Sequence, residues 1–365
     1  MTALYRLFNC HRMLSITHLI TGISTLILAT ALGIYSKHRV HSATDFAVGS
    51  RSISAPVIAG TIVGTLVGGA STIGTAQLAF QHGFTAWWFT LGGGIACLLL
   101  GLFLAAPLRR SEAVTGPSYL NRIYGSPAGI LATLFSSAGI LLNLVGQILA
   151  AVALLTSLFS MNPMTAALAA TAVIILYVIF GGIWSTGLVG SFKVILLYLS
   201  MVGVGLLAYA LGGGWSGFTT TFEAYPWFSL FGRGLGPDIA AAFSMIVGVI
   251  STQTYLQAIF SGRDEQTSRR GAFIAAAIIP PIGVAGILVG LYMRSMAPEI
   301  NPREALPLFI LYTLPDWFGG LVFATLFIAV IGTGAGLVLG VSTMFTEDIY
   351  RKVMVPGASE QQRLW

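Results

Sequence analysis

The stretch Gly64–Gly83 reads GTLVGGASTIGTAQLAFQHG and decides the fold that the sequence predicts. It lies in an apolar segment, yet it contains two adjacent glycines and several polar side chains. Each glycine weakens a helix by about 1 kcal/mol relative to alanine, and polar groups resist burial in lipid. A broken helix is tolerated in a bilayer where its freed carbonyls face protein or a wet cavity, and such carbonyls bind small cations. The stretch therefore predicts a solute transporter with its site at Val67–Ser71.

Close helix packing is a second interpretation of the same stretch. Gly60, Gly64 and Gly68 are four residues apart and therefore share one helix face. Small residues at this spacing let two membrane helices approach closely. The two interpretations are compatible, because one concerns the helix face and the other concerns the break.

Composition places the chain among membrane proteins. Of its 365 residues, 56% are hydrophobic and 8% are charged, and the mean hydropathy is +0.86. Soluble domains carry about 25% charged residues, so the lipid bilayer is the expected environment. The net charge of +6 is better explained by basic residues at helix ends, which set topology, than by a nucleic-acid partner.

Apolar runs of about 20 residues predict an all-α polytopic membrane protein with about nine transmembrane helices. The predicted spans are 14–35, 54–81, 86–107, 127–158, 163–184, 189–211, 238–261, 271–294 and 317–342. Basic residues are most frequent in the inner loops if the N-terminus lies outside, which is the orientation we predict. Two longer segments on the outer side, 212–237 and 295–316, are expected to hold either short helices that cover the outer mouth or plain connections.

Several motifs then follow one another at family-like spacing. They are Asp45-Phe46-Ala47-Val48-Gly49-Ser50-Arg51, Ser71-Thr72-Ile73-Gly74, Thr115-Gly116-Pro117-Ser118-Tyr119-Leu120 with Tyr124-Gly125, Gly181-Gly182-Ile183-Trp184, Ala305-Leu306-Pro307, Leu314-Pro315 and Ser342 through Tyr350. In this order they resemble the sodium:solute symporter family over nearly the whole chain. The resemblance is to members of the pantothenate, proline and monocarboxylate type more than to the sugar carriers, whose sugar ligands are replaced here by Ser71, Met245 and Gly248.

The resemblance implies a LeuT-like fold of two inverted five-helix repeats within one membrane domain, residues 1–365. Residues 14–35 would be an extra N-terminal helix, and 54–211 the first repeat. Residues 238–342 would supply the first three helices of the second repeat, so the last core helices are expected to be missing from this sequence.

The resemblance also implies a sodium site between the broken first core helix and the eighth. The family's sodium ligands fall on the carbonyls of Gly64, Val67 and Ala329 and on the side-chain positions Gly332 and Thr333. Thr333 keeps its hydroxyl, whereas Gly332 has none. No other cofactor is expected.

Lys193 departs from the family pattern. Where the family often has an Asp and a Gln in its fifth core helix, this sequence has Gly190 and Lys193. Lys193 could supply the positive charge of the cation site itself, as a proton or charge site, or it could extend to the membrane interface. The first possibility would make the carrier proton-coupled or uncoupled.

Polar residues within the spans are candidates for binding the solute. They are Ser71, Thr72, Gln77, Asn143, Gln147 and Gln253, with Ser251, Thr252 and Gln257 as further polar positions on the sixth core helix. Asn143 and Gln147 are four residues apart and share a helix face. Each one could instead make a contact between helices.

Sodium-coupled symport of a small organic solute across the cell membrane, most simply the cytoplasmic membrane of a prokaryote, is the predicted function. A non-transporting membrane sensor or subunit with the same fold is the alternative from another class. An enzyme is not expected, since no cluster of His, Cys or carboxylate residues lies in any predicted span. The sequence leaves the solute and the oligomeric state open.

Overall fold

Seventeen α-helices form the part of the chain that the computed structural model describes, residues 14–37, 43–179 and 182–355. They are α1 Ile16–Lys37, α2 Ala43–Val48, α3 Ala55–Leu66, α4 Thr75–His82, α5 Trp88–Leu99, α6 Ala105–Arg110, α7 Gly116–Tyr124, α8 Ser126–Phe159, α9 Pro163–Ile179, α10 Gly182–Leu211, α11 Gly214–Thr221, α12 Ala224–Trp227, α13 Leu235–Ser251, α14 Gln253–Phe260, α15 Glu265–Met296, α16 Ala305–Thr313 and α17 Asp316–Met344. Short π-helical segments at Ala70–Gly74, Leu100–Leu104 and Phe345–Met354 and 3-10 turns at Gly49–Arg51, Gly83–Trp87 and Pro302–Glu304 connect or extend them. Gly181 of the family-like motif and residues 356–365 lie outside the described residues.

Each of the nine predicted spans overlaps a described helix, but fewer than nine of these helices are long and apolar enough to cross a membrane alone. Among the described residues, six helical segments are long and apolar enough to cross a membrane, and the bent pair α13 and α14 makes a seventh. The predicted spans 54–81 and 163–184 begin with the shorter apolar helices α3 and α9. The predicted orientation, with the N-terminus outside, stays a prediction, as does the division into repeats.

The predicted break in the first core helix is present. Helix α3 ends at Leu66, Val67 leaves the helical region with ψ 88°, and a π-helical turn resumes at Ala70. The glycines in the break also let another helix approach. A Cβ added to Gly69 would lie 2.1 Å from the Cβ of Ala150, so α8 packs directly on this point.

A second broken helix is present that the sequence pattern does not indicate. The sequence predicts one uninterrupted span at 238–261, but the helix stops at Ser251, Thr252 is extended (φ −79°, ψ 123°), and α14 starts at Gln253 with a 44° bend. The Thr252 hydroxyl donates to the Gly248 carbonyl at 2.6 Å, which satisfies a backbone group at the end of α13. The two broken helices are therefore α3 with α4 and α13 with α14.

Glycines bring the backbones of α3 and α10 into contact. A Cβ on Gly64 would lie 2.7 Å from the Cα of Gly190, and a Cβ on Gly190 would lie 2.4 Å from the carbonyl oxygen of Gly60. The packing interpretation of Gly60 and Gly64 is therefore confirmed together with the break. Because Gly190 has no side chain, the next turn of α10 can place Lys193 against α3.

The segment 212–237 holds the short helices α11 and α12 and covers part of the bundle. The indole nitrogen of Trp88 donates to the Leu230 carbonyl at 2.7 Å, and a Cβ on Gly83 would lie 2.2 Å from the carbonyl oxygen of Trp227. Gly83 also has φ +67°, a conformation that glycine adopts without strain. The short helices of the first expectation are therefore present in this segment, and their position at the outer mouth stays a prediction.

We predict that Gly190→Ala lowers stability. The added methyl group would overlap the Gly60 carbonyl, and overpacking of a close contact costs about 1–3 kcal/mol. Thermal unfolding of the purified protein in detergent measures this. Gly146→Ala is the matched control, because a Cβ at Gly146 meets nothing within 4 Å. Equal stability of the two variants would contradict the contact between α3 and α10.

Candidate functional site

The break in the first core helix frees one backbone carbonyl at its edge. In a continuous helix the Gly64 carbonyl would accept a hydrogen bond from the N–H of Gly68. That N–H is instead directed at the Leu66 carbonyl (3.1 Å) and the Ser71 hydroxyl (3.2 Å). The Gly64 oxygen is thus left for a partner outside α3.

Helix α17 presents two more oxygens to the same point. Ala329 and Thr333 are four residues apart and share a helix face. The Thr333 hydroxyl lies 3.2 Å from the Gly64 carbonyl oxygen, so the edge of the break and α17 meet here. Both residues are buried. Three of the five predicted cation ligands are therefore brought together.

The group that these oxygens surround is the ammonium of Lys193. Its Nζ donates to the Gly64 carbonyl at 2.5 Å, to the Ala329 carbonyl at 2.7 Å and to the Thr333 hydroxyl at 2.9 Å. Lys193 is 1% exposed. The possibility that it extends to the membrane interface is therefore not the arrangement that the structure shows.

The other two predicted ligand positions lie beside this cluster. Gly332 faces the lysine stem, since an added Cβ would lie 3.8 Å from Cδ and 3.9 Å from Nζ of Lys193. Val67 lies within the break, and its side chain is fully buried. Its carbonyl is not among the three oxygens that accept from Lys193.

A sodium ion does not fit this site while Lys193 occupies it. The ammonium lies within hydrogen-bonding distance of the three oxygens that would coordinate the ion. Two unit charges at about 4 Å repel by about 4 kcal/mol at an effective dielectric constant near 20. The described residues also contain no group of three or more His, Cys, Asp or Glu residues that could hold a metal ion.

A cavity of about 760 Å³ opens beside the two broken helices. Thr65 and Leu66 at the end of α3 and Gly248 and Thr252 at the second break contribute to its lining. The other polar or aromatic residues that line it are Thr85, Trp88, Phe89, Phe135, Ser136, Asn143, Gln147, Arg233, Ser244, Ser251 and Tyr255. The described lining residues include no carboxylate, so the cavity offers mainly neutral polar groups and aromatic rings.

Asn143 and Gln147 are the predicted solute-binding residues that line this cavity. The amide nitrogen of Gln147 donates to Asn143 at 3.2 Å, as their spacing predicts. The Gln147 oxygen accepts from the backbone N–H of Gly69 at 2.9 Å. Gln147 therefore joins the cavity wall to the helix break.

Ser71 and Thr72 satisfy the broken backbone and are not lining residues. The Ser71 hydroxyl donates to the Leu66 carbonyl at 2.9 Å, and the Thr72 hydroxyl donates to the Gly68 carbonyl at 2.9 Å. Gln77 is half-buried on α4.

Gln253 lies just after the second break, and it connects that break to the start of α7. Its side-chain oxygen accepts from the Gly116 N–H at 2.8 Å, and its nitrogen donates to the Val114 carbonyl at 3.2 Å.

Arg233 is a lining residue that the sequence does not indicate. It belongs to the segment 212–237, for which the sequence predicts an outer connection or cover. Its guanidinium lies 2.6 Å from the carboxylate of Asp238, which is fully buried and also accepts from the Thr85 hydroxyl. The positive charge at the cavity is thus paired. A loop residue that reaches a cavity leaves no periodic signal that sequence reasoning could use.

Two of the motifs that resemble the family, Thr115–Leu120 and Ser342–Tyr350, meet on the predicted inner side. Asp348 accepts from the hydroxyls of Thr115 and Ser118, both at 2.6 Å, and from the ammonium of Lys352 at 2.8 Å. The N-terminus of α7 and the end of the last described helix are joined there. The two motifs are therefore parts of one contact.

Two broken helices that line one cavity define this chain as a transporter-like membrane helix bundle. Comparison with known proteins identifies its family. The model of the sodium:solute symporter family matches residues 46–365. The chain belongs to the sodium:solute symporter family, and its relatives are transporters and not enzymes.

The curated relatives include choline transporters. The chain is 23% identical to the "High-affinity choline transporter 1" of Drosophila melanogaster over 371 residues, which is 97% of this chain and 60% of that protein. It is 24% identical to the "High affinity choline transporter 1" of Homo sapiens over 352 residues, 87% of this chain and 58% of that protein. The chain thus spans about 60% of the length of the curated relatives that it matches.

A solved structure confirms the predicted LeuT-like fold. A Na+-coupled sialic acid symporter in a substrate-bound outward-open state superposes with a TM-score of 0.81 at 19% identity, covering 96% of this chain and 77% of that chain. At this identity the likeness shows the fold alone. The protein is thus a multi-pass membrane protein.

Gln147→Leu is expected to destabilise the break. It removes the acceptor for the buried Gly69 N–H, and an unsatisfied buried donor costs about 1–3 kcal/mol. Thermal unfolding in detergent measures the loss. Asn143→Ala is the control, since Asn143 is exposed, lines the cavity, and bonds to the amide nitrogen of Gln147 and not to the oxygen that accepts from Gly69. A Gln147→Leu variant as stable as the control would show that the break does not depend on Gln147.

Proposed function

We propose that this chain is the core of a secondary active transporter that moves a small organic solute across the cell membrane by alternating access. The observation that supports this most is that α3 and α13 both end at the same cavity. Backbone breaks at membrane depth are tolerated where they line a cavity, and transporters of this architecture bind their cargo there. A cytoplasmic membrane of a prokaryote fits the proposal.

The chemistry of the cavity supports a small solute with polar and apolar parts. Asn143, Gln147 and Thr252 offer neutral hydrogen-bonding groups, whereas Trp88 and Tyr255 offer aromatic surface. Aromatic faces also attract organic cations. Choline, the cargo named for the relatives, belongs in the first test panel together with monocarboxylates, pantothenate-like acids, amino acids and sialic acid.

We also propose that transport is coupled to a cation. Membership of a sodium:solute symporter family and the likeness to a Na+-coupled symporter support sodium as the coupling ion. Lys193 favours a second form of the same carrier, proton-coupled or uncoupled, because its ammonium already lies at the predicted cation site. Solute transport is the proposed function whether the carrier is sodium-coupled, proton-coupled or uncoupled.

Filling the cavity is expected to abolish transport without unfolding the protein. Gly139 on α8 lines the cavity, and a Cβ there meets nothing within 4 Å. Gly139→Leu should lower uptake of the responding solute into proteoliposomes at least about tenfold, since it occupies space that the solute needs.

Gly146→Leu is the matched control for this experiment. It lies seven residues further on the same helix, is equally open, and does not line the cavity. It should transport like the unsubstituted protein. Equal uptake by both variants would argue against this cavity as the solute pathway, and no uptake of any panel member by the unsubstituted protein would argue against a carrier.

A further inference from the structure

We infer that Lys193 is a built-in cation: its ammonium takes the place of the sodium ion that the family would bind between α3 and α17, and this site is therefore closed to sodium. The inference rests on the proposed function, since it concerns the coupling site of the same carrier. It assigns the positive charge of the site to the protein itself.

The hydrogen bonds of the ammonium are complete. A lysine ammonium has three N–H donors and no acceptor, and the three donors here meet the oxygens of Gly64, Ala329 and Thr333. A neutral amine has two N–H donors and a lone pair, so it would match this set only if the Thr333 hydroxyl donated to the lone pair. That hydroxyl is instead directed at the Gly64 carbonyl, 3.2 Å away, which leaves its oxygen as an acceptor. The set of three acceptors therefore matches the charged form of the side chain.

The ammonium is solvated by dipoles, as a bound metal cation would be. The ion pairs among the described residues do not include Lys193. Two of its acceptors are backbone carbonyls, and the Gly64 carbonyl is available because the helix breaks. With no acid to offset the charge, the same oxygens cannot also bind a second cation.

Two glycines accompany the lysine. Gly190 lets α10 approach α3 until its backbone touches that of Gly60 and Gly64, which brings Lys193 within reach of the break. Gly332 leaves free space beside the lysine stem, where the family pattern has a hydroxyl. Compared with the family pattern, this sequence lacks an acid at position 190 and a hydroxyl at position 332, and it has an ammonium at position 193. The side chain of Lys193 therefore replaces the ion.

A covalently attached cation cannot leave the protein. A sodium ion coordinated by the same oxygens would remove its contacts with α3 and α17 when it is released. Here, separating these two helices requires Lys193 to break its hydrogen bonds with Gly64 or with α17. The movement between conformations would then need no sodium at this site.

Sodium binding to the purified full chain tests the inference. Thermal unfolding in detergent is followed during titration with sodium chloride and, at equal ionic strength, with N-methylglucamine chloride. The unsubstituted protein is expected to show the same midpoint in both salts. A saturable sodium-specific rise that Thr333→Val abolishes would overturn the inference, and this result needs no lysine variant.

Lys193→Ala tests the inference by an expected gain of cation binding. The vacated space is expected to accept sodium or methylammonium, each of which should raise the unfolding midpoint of this variant and not that of the unsubstituted protein. Adding Gly332→Ser supplies one more oxygen, and the apparent sodium affinity should rise about tenfold, about 1.4 kcal/mol. Lys193→Met, which keeps the apolar stem, replaces Lys193→Ala if that variant does not fold.

Lys352→Ala is the matched control, because this exposed lysine contacts Asp348 and Ser118 away from the break in α3, and its removal should create no cation response that depends on Thr333. A cation response in Lys352→Ala equal to that of Lys193→Ala, and abolished like it by Thr333→Val, would overturn the inference. Solute uptake is measured separately, so failure of the carrier proposal and failure of the built-in cation give different results.

Discussion

The carbonyl of Gly64 is the group on which the arrangement of this protein depends. The break after Leu66 redirects the N–H of Gly68 and leaves that oxygen without its helical partner. A buried carbonyl without a partner is costly in hydrocarbon. Lys193 on α10 and Thr333 on α17 satisfy it, so a single backbone oxygen connects three helices.

The rest of the site is built to keep that break stable. Ser71 and Thr72 bond to backbone groups at the break, and Gln147 accepts from the Gly69 N–H on its other side. The same Gln147 lines the cavity. A solute that contacts Gln147 or Asn143 would therefore act on groups that are one hydrogen bond away from the broken helix, and this is the physical link between solute and helix movement.

Part of this structure could be predicted from sequence because local composition determines it. Long apolar runs locate the membrane helices, and Gly68-Gly69 among polar residues locates the first break. The second break carries no such signal, since Ser251 and Thr252 lie in an apolar helix without adjacent glycines or proline. Whether Lys193 extends to the interface or turns inward depends on how closely α10 approaches α3. That distance follows from packing between elements far apart along the chain, which one sequence cannot give.

A high-resolution experimental structure in buffer with high sodium tests the central claim most directly. Lys193 on the described α10 is predicted to show side-chain density that runs without interruption to the point between Gly64, Ala329 and Thr333. A separate ion peak coordinated by those oxygens, with the lysine turned away from them, would contradict the account.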